Sequence, residues 1–121
     1  MRQISIGDRQ YRIVVAERDS QWFARAVRTD TGDRFGIECA GASEGEAAAR
    51  LTRWLLWQHQ HTVALEHLQA AERAYHRTIA GSAFADPIAG PAAVETQKAS
   101  LDAVEAARVR LDEVRGQNPE A

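Results

Sequence analysis

The chain's four histidines, His59, His61, His67 and His76, all fall within one apolar-periodic run over residues 43–80. No two of them are four residues apart, so a zinc pair of the His-Glu-x-x-His kind, which needs both imidazoles on one helix face, is missing. The best remaining constellation is Glu72 with His76, one helical turn apart, opposite a second helix that carries Glu95, Asp102 and Glu105. Inward carboxylates of this kind hold di-iron centres in helix bundles, but those sites use Glu-x-x-His, and the spacing here is one residue longer. Glu72 and His76 therefore read as an ion pair or hydrogen bond that supports the helix.

Nucleophiles lack partners. Ser43 is placed to cap a helix, Ser82 lies in a loop with only Asp86 near it in sequence, and the single cysteine, Cys39, has no neighbouring base. One cysteine cannot form an internal disulfide, and it reads as a small buried apolar residue. Neither GxxxxGK nor GxGxxG occurs, so no phosphate loop is present. The residues point to no catalytic centre, no metal and no cofactor, and the expected role is not enzymatic.

Arginine is the other chemistry-bearing type. Arg12, Arg18, Arg25 and Arg34 fall on one face of a sheet around Phe23, which combines phosphate contacts with one stacking ring, the two ingredients of single-strand binding. The competing reading is a solvated face whose arginine stems cover Val14, Ala16 and Val27. The formal net charge is −2, so no overall field draws the chain to DNA or to an anionic membrane. Up to Ala40 there are seven arginines against six acids, and beyond Gly81 four bases against seven acids. A basic sheet region thus precedes an acidic C-terminal region.

Strands must position that face. Alternation of period two marks Gln3 to Ile6, Tyr11 to Glu17, Trp22 to Thr29 and Arg34 to Cys39, separated by Gly7-Asp8, Asp19-Ser20 and Asp30-Thr31-Gly32. Connections this short predict an antiparallel meander. Parity puts Ile4, Ile6, Tyr11, Ile13, Val15, Trp22, Ala24, Ala26, Phe35, Ile37 and Cys39 on one apolar side, which a helix must cover.

Ser43-Glu44-Gly45-Glu46 is a capping box, and neither glycine nor proline interrupts Glu46 to Ala80. At ~1.5 Å per residue that helix would reach roughly 55 Å. Residues 81–90 form a reversal anchored by Phe84 and Ile88, and a second helix over 91–116 opens with Pro91. Residues 117–121 are expected to fray. Trp54, Trp57, His61, Ala64, Leu68, Ala71 and Tyr75 recur at three-four spacing and form a seam for the second helix, whose stripe is Val94, Leu101, Val104, Ala107, Leu111 and Val114. The expected pairs are Leu68 with Leu101 and Val104, Leu111 with His61 or Ala64, and Val114 with Trp57. Leu51, Leu55, Thr62, Leu65, Glu72 and Ile79 form a second, weaker stripe that one seam does not use; a second copy of the chain would cover Leu51, Leu55, Leu65 and Ile79, the alternative being that the stripe curls against Phe84, Ile88 and the sheet.

The strands Tyr11-Arg-Ile-Val-Val-Ala16 and Trp22-Phe-Ala-Arg-Ala26, with the helix start Ala42-Ser-Glu-Gly-Glu-Ala47, resemble the HicB-type antitoxin fold over less than half of the chain. That family usually follows a short helix with another strand, whereas this helix continues, so no functional residue is carried over. The resemblance leaves an antitoxin-like, nucleic-acid-binding regulator as the second functional expectation.

The sequence thus predicts one α+β domain: a four-stranded antiparallel meander over residues 1–42, packed on a long helix over 43–80 that continues into an antiparallel two-helix coiled-coil hairpin. The expected function is a protein-interaction or assembly module that forms a homodimer through the hairpin. Its longest apolar stretches, such as Ile13 to Ala16, fall far short of the ~20 residues of a membrane span, and the N-terminus runs straight into a strand. Those features predict a cytoplasmic protein with no membrane contact.

Overall fold

A computed structural model describes residues 2–83 and 90–120, with the side chains of 2–80 and 94–120. Strands β1 (Arg2–Ile6), β2 (Arg9–Arg18), β3 (Gln21–Arg28) and β4 (Arg34–Gly41) precede helices α1 (Glu44–Ala83) and α2 (Gly90–Gly116). The sheet runs β1-β2-β3-β4 with every neighbour antiparallel, so the fold is the expected α+β meander with two helices. The chain divides into two compact units, Met1–His59 with Asn118–Ala121, and Gln60–Gln117. Among the described residues, no helix is long and apolar enough to cross a membrane.

The turns obey local chemistry. Asp19 and Ser20 adopt φ of 52° and 66°, the pair of left-handed residues that a tight hairpin needs to match strand twist. At the next turn the Gly32 N–H donates to the Arg28 carbonyl at 2.8 Å, and the Arg28 N–H donates to the Asp33 carbonyl at 2.9 Å. The Asp30 carboxylate accepts from the Arg28 guanidinium and from the Thr31 N–H. The bond from Arg28 holds the Asp30 carboxyl below the usual carboxylate range.

In the first unit, Ile6, Tyr11, Ile13, Ala24, Ala26 and Cys39 on the sheet meet Ala47, Ala48, Leu51, Trp54 and Leu55 on α1. These strand residues are the apolar parity set, and the alanines on both elements let helix and sheet approach closely. Ala24, Ala26 and Ala47 are fully buried at 0 % exposure. Tyr11, Phe35 and Trp54 form a chain of tilted rings, with centroids 5.1 and 6.3 Å apart.

One backbone feature makes that chain possible. Ala24 pairs with Cys39 and Ala26 with Phe35, so β4 spends four positions where β3 spends two, and the strand bulges. Two extra residues preserve the alternation, and Phe35 and Cys39 therefore both face α1. Gly36 lies inside the bulge at φ 77°, and a Cβ built there would stand 2.3 Å from Cζ3 of the Trp54 indole. Glycine is needed at this position for its conformation and for its lack of bulk.

Helix α1 starts where the cap predicts, with the Glu46 N–H donating to the Ser43 hydroxyl at 3.1 Å. Three expectations about the helices need correction. Leu51 and Leu55 are 0 % and 2 % exposed in the sheet core, because the sheet covers a wider stripe of α1 than a two-helix seam would. They are therefore not available to a second copy. Gly81 does not end α1, which runs to Ala83, since one glycine costs only about 1 kcal/mol in a helix. Phe84, Ile88 and the Ser82 side chain lie outside the described residues. Finally, Asn118 and Glu120 do not fray, because Glu120 is held by Arg50 of the same unit.

In the second unit, the latter part of α1 and α2 form an antiparallel hairpin. The Gln97 side-chain amide donates to the Thr78 carbonyl at 3.5 Å and joins the two helices. Ala64 and Leu111 are both buried. Val104 and Val114 are buried as well, whereas Val94 and Leu101 of the predicted stripe are exposed.

The bulge makes a clear prediction for stability. Gly36→Ala incurs a left-handed backbone penalty of about 1 kcal/mol and must also displace the indole, for an expected loss of roughly 2–4 kcal/mol in urea unfolding followed by tryptophan fluorescence. Gly32→Ala, equally left-handed at φ 75° but with open space at its Cβ, should lose only about 1 kcal/mol. Equal losses at the two glycines would contradict the packing role of Gly36.

Candidate interaction surfaces

The sheet face turned away from the core is built by alternation and register. Arg12 pairs with Val27, which pairs in turn with Arg34. Val14 pairs with Arg25, and Ala16 with Phe23, which pairs with Ala40. An apolar strip of Val14, Ala16, Phe23 and Val27 therefore runs between guanidinium groups from three strands. The four arginines proposed from the sequence, and Phe23, share this face.

Their states differ. Arg18 stacks its guanidinium on the Phe23 ring at 4.2 Å from the centroid and bonds to the Glu38 carboxylate. Arg34 reaches the other Glu38 oxygen at 3.7 Å. Arg12 and Arg25 are exposed and form no ion pair among the described residues. One acid thus serves two of the four arginines, and the face keeps an excess of positive charge. Between the strands lies an open depression of 170 Å³ lined by Val14, Ala16, Arg18, Phe23, Arg25 and Glu38.

A second ionic site was not foreseen. The Arg50 Nε and Nη2 donate to the two Glu120 oxygens at 3.2 and 2.5 Å, while Nη1 donates to the Ala40 carbonyl at 2.6 Å. Asn118 prepares the acid by accepting the Glu120 N–H at 2.9 Å. Arg50 is thus a fork-shaped clamp fixed to β4 and closed on a carboxylate seventy positions along the chain. The bond to Glu120 raises the Arg50 pKa above its already high ordinary value. Its signal in the sequence is an arginine beside the sheet-facing residues Ala47 and Leu51, and an acid in a tail otherwise without charge.

Cys39 is 2 % exposed behind this clamp. Burial pushes its thiol pKa up and the Glu120 charge pushes it further, against the smaller opposing pull of Arg50 and Arg53. His76 is exposed and Glu72 half-buried on α1, and among the described residues no three His, Cys, Asp or Glu side chains gather as metal ligands do.

Of the surface expected to meet a second copy, Leu65 is half-buried and Ile79 is 43 % exposed. Other apolar groups join them on the hairpin, with Val94 at 64 % and Leu101 at 37 % exposed. Arg73 and Arg77 on α1, and Glu95, Asp102 and Glu105 on α2, form no ion pair among the described residues.

Replacing Glu120 by glutamine should open the clamp. The urea midpoint should fall with an unchanged slope, and Cys39 should react faster with Ellman's reagent at mildly alkaline pH, because the tail loosens and a charge opposing the thiolate is gone. An unchanged thiol rate would show that the tail does not shield Cys39. No protein-family model, curated protein or solved structure matches the chain.

Proposed function

We propose that the protein is a non-catalytic interaction and assembly module that pairs with a second copy of itself through the helical hairpin and offers its sheet face to another protein. One observation carries the pairing. Between Leu65 and Ala80 on α1, and between Val94 and Ala103 on α2, no side chain is buried, although Leu68, Tyr75, Ile79, Val94 and Leu101 lie there. Among the described residues of the hairpin the buried ones are Ala64, Val104, Leu111 and Val114. The apolar residues beyond them have too little cover within one copy.

Charge does not oppose the same reading. Over residues 65–80 α1 carries Glu66, Glu72, Arg73 and Arg77, and over residues 94–103 α2 carries Glu95, Lys98 and Asp102, so each stretch has groups of both signs to set against a second copy. A two-fold arrangement lays α1 of each copy beside α2 of the other, so the same contact forms twice. In that arrangement the three-four spacing of Leu68, Tyr75 and Ile79 supplies a coiled-coil seam.

Light scattering behind size exclusion tests the proposal. The parent chain should elute with the mass of a dimer and dissociate on dilution. Val94→Glu with Leu101→Glu should raise the dissociation constant by about a hundredfold, at roughly one decade for each lost apolar contact. Near-ultraviolet circular dichroism of the tryptophans should be unchanged. A monomer at the highest attainable concentration would overturn the pairing.

A further inference from the structure

The open sheet face carries more than a general capacity to bind. We infer that it is the docking surface for an acidic segment of a partner protein, one apolar side chain of which sits over Val14, Ala16 and Phe23 while its carboxylates reach Arg25 and Arg12. The inference deepens the reading of the protein as an interaction module by naming the chemistry of the partner.

Three observations carry it. Charge is the first: Arg12, Arg18, Arg25 and Arg34 share the face with Glu38 as their only paired acid, and Arg12 and Arg25 have no ion pair among the described residues. Anionic partners are therefore favoured over cationic ones. The second is the apolar floor. The depression of 170 Å³ has Val14, Ala16 and Phe23 in its lining beside the polar groups of Arg18, Arg25 and Glu38. An aliphatic side chain laid on the apolar part takes it out of water while leaving the guanidinium groups to carboxylates.

The third observation separates protein from nucleic acid. Single-strand recognition on a sheet depends on aromatic rings left bare for bases to stack on. Phe23 is the aromatic side chain of this face, and the Arg18 guanidinium already lies on its ring at 4.2 Å. A base could stack there only by displacing a cation held in turn by Glu38. A carboxylate has no such competitor at Arg25. Glu38 itself acts as a built-in rival: it engages Arg18 and Arg34, and its removal leaves two more guanidinium groups for the partner.

Fluorescence anisotropy with three labelled probes tests this at low and moderate salt: a short peptide of glutamates interrupted by leucines, an all-glutamate peptide of equal length, and an oligodeoxythymidylate. The leucine-containing peptide should bind most tightly. Arg25→Ala and Arg12→Ala should each weaken it about fivefold, and Glu38→Gln should strengthen it by a similar factor. Tighter binding of the oligodeoxythymidylate, with the same dependence on Arg25, would assign the face to nucleic acid instead. Equal affinity for both peptides would remove the apolar seat. Indifference of peptide binding to Arg25 and Arg12, or no binding of any probe by the parent and Glu38→Gln proteins, would overturn the inference. None of these outcomes depends on the hairpin, so light scattering judges self-association separately.

Discussion

Contact between the Trp54 indole and the bare backbone of Gly36 is the constraint on which the first unit depends. A four-stranded meander with one apolar side must bury that side against another element, and its cover must approach within side-chain contact. The bulge in β4 gives the indole a flat seat, and its two added residues keep Phe35 and Cys39 on the covered side. With Trp54 seated, the helical period brings Ala47, Ala48, Leu51 and Leu55 over the small residues Ala24 and Ala26. Each fully buried leucine contributes roughly 1.5–3 kcal/mol, so this packing is the main stabilising term of the unit.

Much of the fold was legible because local signals agreed. The turn residues, the period-two alternation and the Ser43 cap each named an element, and together they gave the meander, both helices and the identity of the buried sheet face. Features set by contacts distant in sequence were less legible. A glycine in a strand suggests a bulge, but only the position of Trp54 reveals why Gly36 must be one. Spacing offers Leu51 and Leu55 to a second subunit, because it defines a stripe without naming what covers it. The Arg50 clamp joins residues seventy positions apart, and no periodicity reports such a pair.

The candidate surfaces divide in the same way. Alternation alone put Arg12, Arg18, Arg25, Arg34 and Phe23 on one face. It could not tell that Arg18 and Arg34 share Glu38 while Arg12 and Arg25 form no ion pair among the described residues, or that Arg18 occupies the ring. Those pairings are what the proposed preference for an acidic segment rests on. On the hairpin, heptad spacing predicts a continuous seam, yet among the described residues burial is confined to Ala64, Val104, Leu111 and Val114. The apolar residues beyond them are the observation on which the proposed assembly rests.

Hydrogen exchange measured across protein concentration tests the central claim most directly, because it reads the hairpin and the sheet in the same molecule. Self-association through the uncovered stretches predicts that amide protection over residues 65–80 and 94–103 rises with concentration while protection of the sheet stays constant. Protection of the hairpin that is independent of concentration would contradict the account.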